Sequence, residues 1–496
     1  MSRAALLFLL APLLAAAPAR ADAPAEAADV LQQQIRAWIA DLAGPAVDFG
    51  SHVVTVTPEG EGFRFELPLA GPVGSTGWRI TGDPVIATAR HLDADRWAIQ
   101  SLTLPSPLRL EQRPAPGARP GSWTMQVAEQ QASGVFDPTL ATGSSFDMTL
   151  SGYSSFRRTQ RGTESTTLYH YTGHAGWQPA GEGRVNASGS GEGEDLAVST
   201  ERPSGRKVTV TAATARSTWR VQRVAFDRLG AAVRSIGRLV PAAMQAAGKA
   251  AAPGSLTPED RARLRDLVLA LSGLLGGMEQ ETTLEKVRLD AGGISGTLDR
   301  LSIGEQTAAP DGMLDASLHL SMQGIDSPLI PKGPLRDYLP RRLAFTPRLS
   351  GVPANDLIAL LLRAIDSDDP KAVLEEAGGL LAKGPLKAGV DDVLLDFGAA
   401  TLKGSGTMTI AAANDIKGTA QLVATGLDAL IARAGSVPEL AGSAPFLILL
   451  KGIGEQHGDT VVWNIGYADG HTKVNGTDLA TLLPSERPRP ARPHHP

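Results

Sequence analysis

The feature that most constrains the fold is an alternation of apolar and polar residues that recurs along the chain with only short connections. Residues 52–70, HVVTVTPEGEGFRFELPLA, contain two such runs around one turn. Others lie at 78–90, 96–104, 123–129, 146–153, 165–172, 183–188, 195–200 and 207–214. A period of two residues is typical of strands with one buried face. Parallel neighbours need a crossover of about a dozen residues, so short connections predict antiparallel pairing.

We therefore expect residues 22–219 to form one domain, an N-terminal amphipathic helix followed by a meandering antiparallel sheet. The helix is predicted from apolar residues at Val30, Ile35, Trp38, Ile39 and Leu42, before Gly44-Pro45. The Gly/Ser/Glu-rich stretch NASGSGEGED, residues 186–195, has the composition of a loop, and we expect it to be a mobile hairpin.

Residues 220–280 change period and predict a helical hairpin. Apolar residues step by three and four from Phe226 to Val240, which draws one stripe on a helix. A second helix is predicted after Thr257 as N-cap and Pro258 at the first helical position, with a stripe that includes Leu264, Leu267 and Leu271. Arginines accompany both stripes, so the helices fit packing on a sheet or contact with an anionic membrane surface.

The C-terminal half contains two similar segments. VRLDAG at 287–292 resembles VLLDFG at 393–398, and LSMQGID at 320–326 resembles LVATGLD at 422–428. The same order at nearly the same offset predicts a duplicated domain, with copies at 281–390 and 391–484.

Both ends of the chain indicate processing or disorder. Residues 1–21 carry Arg3, an apolar run and Ala19-Arg20-Ala21, which predicts a signal peptide cleaved after Ala21 and a periplasmic location, although an uncleaved anchor stays open. Residues 485–496 are Pro-rich and basic, and we expect a disordered tail. The chain has no cysteine and a formal net charge of −5. The composition therefore argues against disulfides, cysteine-ligated metal and general nucleic-acid binding.

The candidate chemical residues favour structural roles. Asp326 and Asp428 each follow a glycine and one apolar residue at the end of a predicted strand. A carboxylate there accepts hydrogen bonds from the first free amides of a helix, so we predict both as N-caps. His170 and His174 lie four residues apart in a predicted strand, about 13 Å, too far for a shared metal. No G-x-S-x-G or H-E-x-x-H motif occurs. We expect no catalytic residue, no metal and no cofactor.

The C-terminal hairpins resemble one known family. Residues 404–430, GSGTMTIAAANDIKGTAQLVATGLDAL, and the closing Val474-Asn475-Gly476 are similar to the turn-and-strand motifs of the DUF2125 family of alphaproteobacterial envelope proteins. The resemblance covers residues 280–483 and, weakly, the N-terminal sheet. It implies an elongated, β-rich, periplasm-facing body and no established activity. Family members usually keep an N-terminal membrane anchor, and the cleavage site at Ala21 departs from that pattern.

Together these features predict an α+β protein of extended antiparallel sheets, with short helices on one face and a duplicated C-terminal half. We expect a non-enzymatic periplasmic protein that binds an apolar or amphipathic, lipid-like ligand or an envelope component, with peripheral membrane contact open. A scaffold for protein or cell-wall partners and a hydrolase with an unrecognised site are the alternatives. The predicted ligand-binding residues are Leu264, Leu267, Leu271, Leu360, Leu361, Phe446, Leu447 and Leu450.

Overall fold

The computed structural model describes residues 24–43, 54–73, 78–93, 96–112, 120–137, 142–159, 162–225, 257–274, 276–309, 312–327, 339–367, 385–412, 415–437 and 444–481, with single positions at 228, 379 and 442. The predicted leader, the C-terminal tail and most of the predicted 226–240 helix lie outside these residues. All structural statements below concern the described part of the chain.

The described chain is rich in strands, and its 24 strands belong to one antiparallel sheet. The shorter strands come first: β1 (Thr55–Glu59), β2 (Gly62–Leu67), β3 (Ala70–Val73), β4 (Trp78–Gly82), β5 (Val85–Asp93), β6 (Arg96–Thr103), β7 (Leu108–Gln112), β8 (Ser122–Gln126) and β9 (Glu129–Asp137). Four long strands follow: β10 (Thr142–Thr159), β11 (Gly162–Gly181), β12 (Arg184–Glu201) and β13 (Lys207–Ala225).

The C-terminal half continues the same sheet. Its strands are β14 (Gly277–Ala291), β15 (Ile294–Ala308), β16 (Met313–Gln323), β17 (Arg342–Pro353), β18 (Leu386–Asp396), β19 (Thr401–Ala412), β20 (Asp415–Thr425), β21 (Glu455–His457), β22 (Thr460–Ala468), β23 (His471–Val474) and β24 (Thr477–Asp478). The helices are α1 (Pro24–Ala43), α2 (Pro258–Leu271), α3 (Ala354–Asp366), α4 (Leu427–Ser436) and α5 (Ala444–Ile453).

From β9 to β20 every strand pairs with the next one in the chain, and β20 then pairs with β22. The N-terminal strands join at β10. Residues 142–151 of β10 pair with β9, whereas 154–158 pair with β8 along the same edge. One branch runs β1-β2-β5-β6-β9 and the other β3-β4-β7-β8, so two short sheets merge into one long meander.

Helix α1 contributes to the larger core. Ala28, Leu31 and Ile35 are buried and cluster with strand residues that include Phe65, Trp97, Phe136, Phe146 and Trp177. Their spacing of three and four residues places them on one face of the helix. The expected stripe is therefore partly wrong. Val30 is 50% exposed, and Ala28 and Leu31, which the stripe omitted, are buried instead.

A row of left-handed residues crosses the long strands. Gly152, Asp195, Lys286 and Gly324 have φ of 61°, 49°, 51° and 67°. Three of them lie on the alternate strands β10, β12 and β14, and the fourth directly follows β16. The pairing registers of the residues before and after them place all four in one row across the sheet. We call this row the crease. At the crease one residue of each strand does not follow the alternation of side chains between the two faces of the sheet. On β12, Gly193 and Leu196 therefore share a face although they are three residues apart.

The stretch NASGSGEGED is not a mobile hairpin. Residues 186–195 lie inside β12, which pairs along its length with β11 and β13. The alternate glycines leave room for side chains of the neighbouring strands. A Cβ on Gly191 would lie 2.4 Å from the Tyr171 hydroxyl, and a Cβ on Gly189 would lie 2.7 Å from the Trp219 ring. The glycines therefore serve packing, which loop-like composition concealed.

The predicted boundaries between units fall inside strands. Positions 219/220, 280/281 and 390/391 lie within β13, β14 and β18, and each of these strands pairs on both edges. Residues 220–225 and 277–280 of the predicted helical hairpin are strand, whereas residues 258–271 form α2 as expected. One continuous sheet therefore runs through these positions.

A second, smaller core lies near the C-terminus. Buried Ala424, Leu427, Val461, Trp463 and Val474 form a cluster, against which Leu430, Ile431, Leu450 and Ile453 of α4 and α5 pack. The Trp463 indole N–H donates a hydrogen bond to the Leu450 carbonyl at 2.8 Å.

Candidate ligand-binding face

The two faces of the sheet differ in chemistry from β13 to β22. Directly paired residues share a face, and side chains alternate along each strand, so the register assigns each side chain to a face. One row of paired residues runs Leu284, Leu301, Met322, Leu343, Leu395, Leu402, Ala424 and Val461. A neighbouring row on the same face includes Ile303, Leu320, Phe345, Leu422 and Trp463. We call this side the apolar face.

The opposite, polar face is covered by cross-strand pairs. Arg216 on β13 lies between Glu192 and Glu285, with Nη2 2.8 Å from Glu192 Oε1 and Nη1 3.3 Å from Glu285 Oε1. The hydrogen bond to Glu192, together with the charges of both carboxylates, raises the pKa of the Arg216 guanidinium. Arg348 on β17 donates two hydrogen bonds to Asp315 on β16. These ion pairs give the polar face its charged character.

Part of the apolar face is exposed. Between the two cores, Leu318, Leu349, Val390 and Met408 are 41%, 38%, 37% and 38% exposed. Val390 pairs with Pro347, and Leu318 lies in the same row on β16. Leu349 and Met408 lie in the next row, because both pair with Ala388. The four exposed side chains are therefore contiguous. We call the apolar-face side chains of β16–β19 the apolar strip; they include Leu318, Leu320, Met322, Leu343, Phe345, Leu349, Val390, Val393, Leu395, Leu402, Met408 and Ile410.

In the middle of the sheet, two polar side chains are buried and a neighbouring apolar side chain is exposed, which is the reverse of the usual arrangement. On the polar face, Thr283 and Ser302 are buried and hydrogen-bonded to each other at 3.0 Å. On the apolar face, the neighbouring Ile303 is 39% exposed. Exposed contiguous apolar surface of this kind marks a site of interaction with an apolar partner.

A small group of polar residues interrupts the apolar face at its N-terminal side. Ser217, Gln280, Thr282, Glu305 and Thr307 are neighbours on β13, β14 and β15 and lie on the apolar face by register. We call them the polar island. Glu305 is the sole charged side chain on this part of the apolar face. The part meant comprises the described paired positions of β13 to β22 on the side of the crease that holds residues 277–285. Glu305 lies directly opposite Gln280 on β14 and Leu318 on β16, the first strand of the apolar strip.

One serine–histidine contact and several histidines lie on the polar face of the described sheet. The Ser151 Oγ lies 3.2 Å from His170 Nδ1. The two residues are directly paired between β10 and β11, and both side chains lie on the polar face. The described depressions of the polar face, for example the one lined by Asp147, His174 and Arg216, include neither residue. His174 bonds to Asp147 at 2.8 Å rather than to a second histidine. Within the described ranges, no three His, Asp or Glu side chains are grouped to hold a metal.

The predicted ligand-binding residues do not come together. Leu264, Leu267 and Leu271 lie on α2, which contacts α3 through Arg261 and Arg265, both bonded to Asp366. Leu360 and Leu361 lie on α3 at the same end of the sheet, and Leu361 is 46% exposed. Helix α5 lies at the opposite strand ends. There Leu450 packs in the smaller core, Leu447 is half-buried and Phe446 is 59% exposed.

Two of the three predicted N-caps can be compared with described helices, whereas the helix predicted after Asp326 would lie at 328–338, outside the described residues. Thr257 directly precedes α2, and its carbonyl accepts the Arg261 N–H at 3.0 Å. Asp326 forms an isolated antiparallel bridge with Thr297, beyond the crease. Asp428 is the second residue of α4, whose N-cap is Gly426, and its carboxylate pairs with Lys451 Nζ at 2.5 Å. Asp428 therefore links α4 to α5, because the left-handed glycine already turns the chain into the helix.

Sequence reasoning missed the apolar strip and Glu305. Each strand of the strip shows alternation, as in Leu318, Leu320 and Met322, but the sequence does not say which residues of separate strands share a row. The unusual signal at Glu305 is a carboxylate at an apolar-phase position, two residues after Ile303 on β15. That signal is visible only once the phase of the strand is known.

The fold and site define a strand-rich protein with one large antiparallel sheet of two unlike faces. No protein-family model, curated protein or solved structure matches the chain. Among the helices of the described ranges, none has the length and apolar character needed to span a bilayer.

Proposed function

We propose that this chain binds an apolar or amphipathic, lipid-like ligand on the apolar strip, and that it does so without catalysing a reaction. The observation that carries the proposal is the contiguous exposure of Leu318, Leu349, Val390 and Met408 on one face, while charged pairs such as Asp315–Arg348 lie on the other. Covering such side chains stabilises a complex by about 25 cal/mol per Å² of apolar surface removed from water.

The dimensions of the strip suit an acyl chain. Neighbouring strands lie about 4.8 Å apart, so the distance from β15 across the strip to β19 is about 19 Å. Half the hydrocarbon core of a bilayer, the depth that one lipid tail occupies, is about 15 Å. A single tail laid across the strands would therefore fit between the polar island and the smaller core.

The location and partners follow as part of the same proposal. The leader-like residues 1–21 favour export to the periplasm, where the partner is a lipid or another envelope component. The likeness of residues 404–430 and 474–476 to the DUF2125 family supports an envelope role.

We also propose that the C-terminal half arose by duplication and that the short helices cover one face of the sheet. Each similar segment begins near the end of one strand, β14 or β18, and ends two strands later at a left-handed glycine, Gly324 or Gly426. Packing of α4 and α5 residues against Val461 and Trp463 supports the covering role at the C-terminal end.

The direct test is the ligand content of the protein. Protein purified from a native periplasm is extracted with organic solvent and analysed by mass spectrometry, and the delipidated protein is titrated with a fluorescent fatty acid. We expect co-purified lipid and saturable uptake. Absence of lipid together with no uptake contradicts the proposal and favours the scaffold alternative.

A matched pair of variants locates the site. The double variant Leu318→Gln, Leu349→Gln should reduce uptake, because both side chains belong to the exposed strip. Phe156→Gln is the control: Phe156 is 39% exposed but lies on β10, six strands away from β16 along the meander. Equal loss in both proteins would place the ligand elsewhere.

A hydrolase is the third candidate, and the Ser151–His170 contact is the observation that favours it. Comparison of wild type with Ser151→Ala on a short-chain p-nitrophenyl ester tests this function. We expect no hydrolysis above background in either protein, and activity that Ser151→Ala abolishes would revive the enzyme.

A further inference from the structure

The polar island places a carboxylate and an amide beside the first strand of the apolar strip. Glu305 is exposed, and Gln280 opposite it is half-buried. Neither side chain has a hydrogen-bond or ion-pair partner among the described residues. By contrast, carboxylates of the polar face such as Glu192, Glu279 and Glu285 are paired with arginines. Within the described ranges, Glu305 is thus an unpaired acceptor at the border of an apolar surface.

Resting on the proposed lipid-like ligand, we infer that Glu305 and Gln280 hold the polar end of that ligand and select a headgroup that donates hydrogen bonds or carries positive charge, such as a primary ammonium. Leu318 lies directly opposite Glu305, so a headgroup at Glu305 places its tail on the apolar strip. Tail and headgroup therefore occupy adjacent strands.

Charge complementarity determines the preference. A tail that covers Leu318 also removes water from the neighbouring carboxylate, and an unpaired charge that loses water is destabilised. An ammonium headgroup replaces that water with a charge-assisted hydrogen bond. A carboxylate headgroup places a second negative charge beside Glu305, which is repulsive. The amide of Gln280 both donates and accepts, so it tolerates either headgroup.

The test compares three probes with the same twelve-carbon chain: dodecylammonium and dodecanoate, each below its critical micelle concentration, and dodecanol below its solubility limit. Binding to full-length protein at pH 7 is measured by displacement of the fluorescent fatty acid. We expect dodecylammonium to bind roughly fivefold more tightly than dodecanol, and dodecanoate roughly fivefold more weakly, as for an exposed charge pair. Glu305→Gln should bring all three affinities to within about twofold of one another.

Glu281→Gln is the matched control. Glu281 is an exposed carboxylate on β14 without a partner among the described residues, and its backbone pairs with Gly304 next to Glu305, but it lies on the polar face. Both variants remove the same charge, so only a local effect separates them. Wild-type ratios in Glu281→Gln with collapsed ratios in Glu305→Gln support the inference.

Two outcomes contradict it, and they differ from each other. Unchanged ratios in Glu305→Gln, with dodecanol still bound, overturn the headgroup site and leave lipid binding intact. Failure of the uncharged dodecanol to bind wild type overturns the proposed function together with the inference.

Discussion

Asp315 and Arg348 form a two-point ion pair on the polar face directly behind the apolar strip. Arg348 Nε lies 3.0 Å from Asp315 Oδ1, and Nη2 lies 2.5 Å from Oδ2. The pair joins β16 to β17, the two strands that carry Leu318 and Leu349 on their other side. The hydrogen bonds from Arg348 hold the pKa of the Asp315 carboxyl below its usual range.

This shift predicts a pH-dependent contribution to stability. A carboxyl with a lowered folded-state pKa stabilises the fold above its unfolded pKa, and the contribution is lost as pH falls through the folded value. Asp315→Asn should therefore lower the free energy of unfolding by a few tenths to about 1 kcal/mol at pH 7. In urea unfolding, the difference from wild type should shrink below about pH 4, the usual pKa of an unfolded aspartate. A difference that is constant from neutral to strongly acidic pH would show that the pair does not act through its charge.

Gly426 should tolerate no side chain. Its φ is 74°, and a Cβ there would lie 2.2 Å from the Ala399 carbonyl oxygen, a backbone atom. Left-handed geometry alone destabilises alanine by about 1–2 kcal/mol, and the crowding adds to it. We expect Gly426→Ala to lower the free energy of unfolding by about 3 kcal/mol.

Gly470→Ala is the control for that measurement, because Gly470 has φ 79° and a Cβ added there would meet no atom within 4 Å. It should lose only about 1 kcal/mol. Equal losses at the two glycines would mean that the contact with Ala399 relaxes freely.

Asn475 should be essential to the C-terminal hairpin. Its Nδ2 donates to the carbonyls of Ile453 and Val462 at 3.0 and 3.1 Å, and its Oδ1 accepts the Asn464 N–H at 2.8 Å. Asn475→Ala leaves these backbone groups without partners, so we expect a loss of about 3 kcal/mol in the free energy of unfolding.

Asp469→Ala separates that effect from backbone strain. Asp469 has φ 54°, close to the 49° of Asn475, but its side chain has no hydrogen bond among the described residues. The expected loss is about 1 kcal/mol. If Asp469→Ala is as destabilising as Asn475→Ala, the left-handed backbone rather than the side chain controls this hairpin.

Ligand binding should stabilise the native protein measurably. A ligand present at roughly a hundred times its dissociation constant adds about 2.7 kcal/mol to the free energy of unfolding. We expect dodecanol to raise the melting temperature of wild type and Phe156→Gln alike, and to have little effect on Leu318→Gln, Leu349→Gln. A similar rise in all three proteins would contradict binding on the strip.

Strand alternation predicts the antiparallel meander well, because a half-buried strand leaves its period in the sequence. It underestimates the lengths of the strands. The alternating runs at 165–172 and 207–214 cover only parts of β11 and β13, which continue to Gly181 and Ala225. The crease hides the continuity of two other strands. In β12 and β14, Asp195 and Lys286 adopt left-handed geometry without a glycine, so the alternating pattern breaks there although the strand continues.

The residues of the proposed ligand site are harder to predict for a different reason. An apolar helix such as residues 444–453 is conspicuous in a sequence, whereas Leu318, Leu349 and Met408 become one surface only through the register of four strands. Register depends on tertiary pairing, and short windows of sequence do not contain it. The role of Asn475 is hidden similarly, since its partners lie on α5 and β22.

The succession of β9 to β20, each strand beside its sequence neighbour, has a consequence for how such a molecule can change in size. Removing or inserting one whole hairpin shortens or lengthens the sheet by about 10 Å and leaves the pairing on both sides intact. Short connections within β9–β13, β14–β16 and β18–β20 let each of these groups form strand by strand, whereas longer connections follow β13, β16 and β17. A chain with more or fewer hairpins would then carry a wider or narrower apolar face.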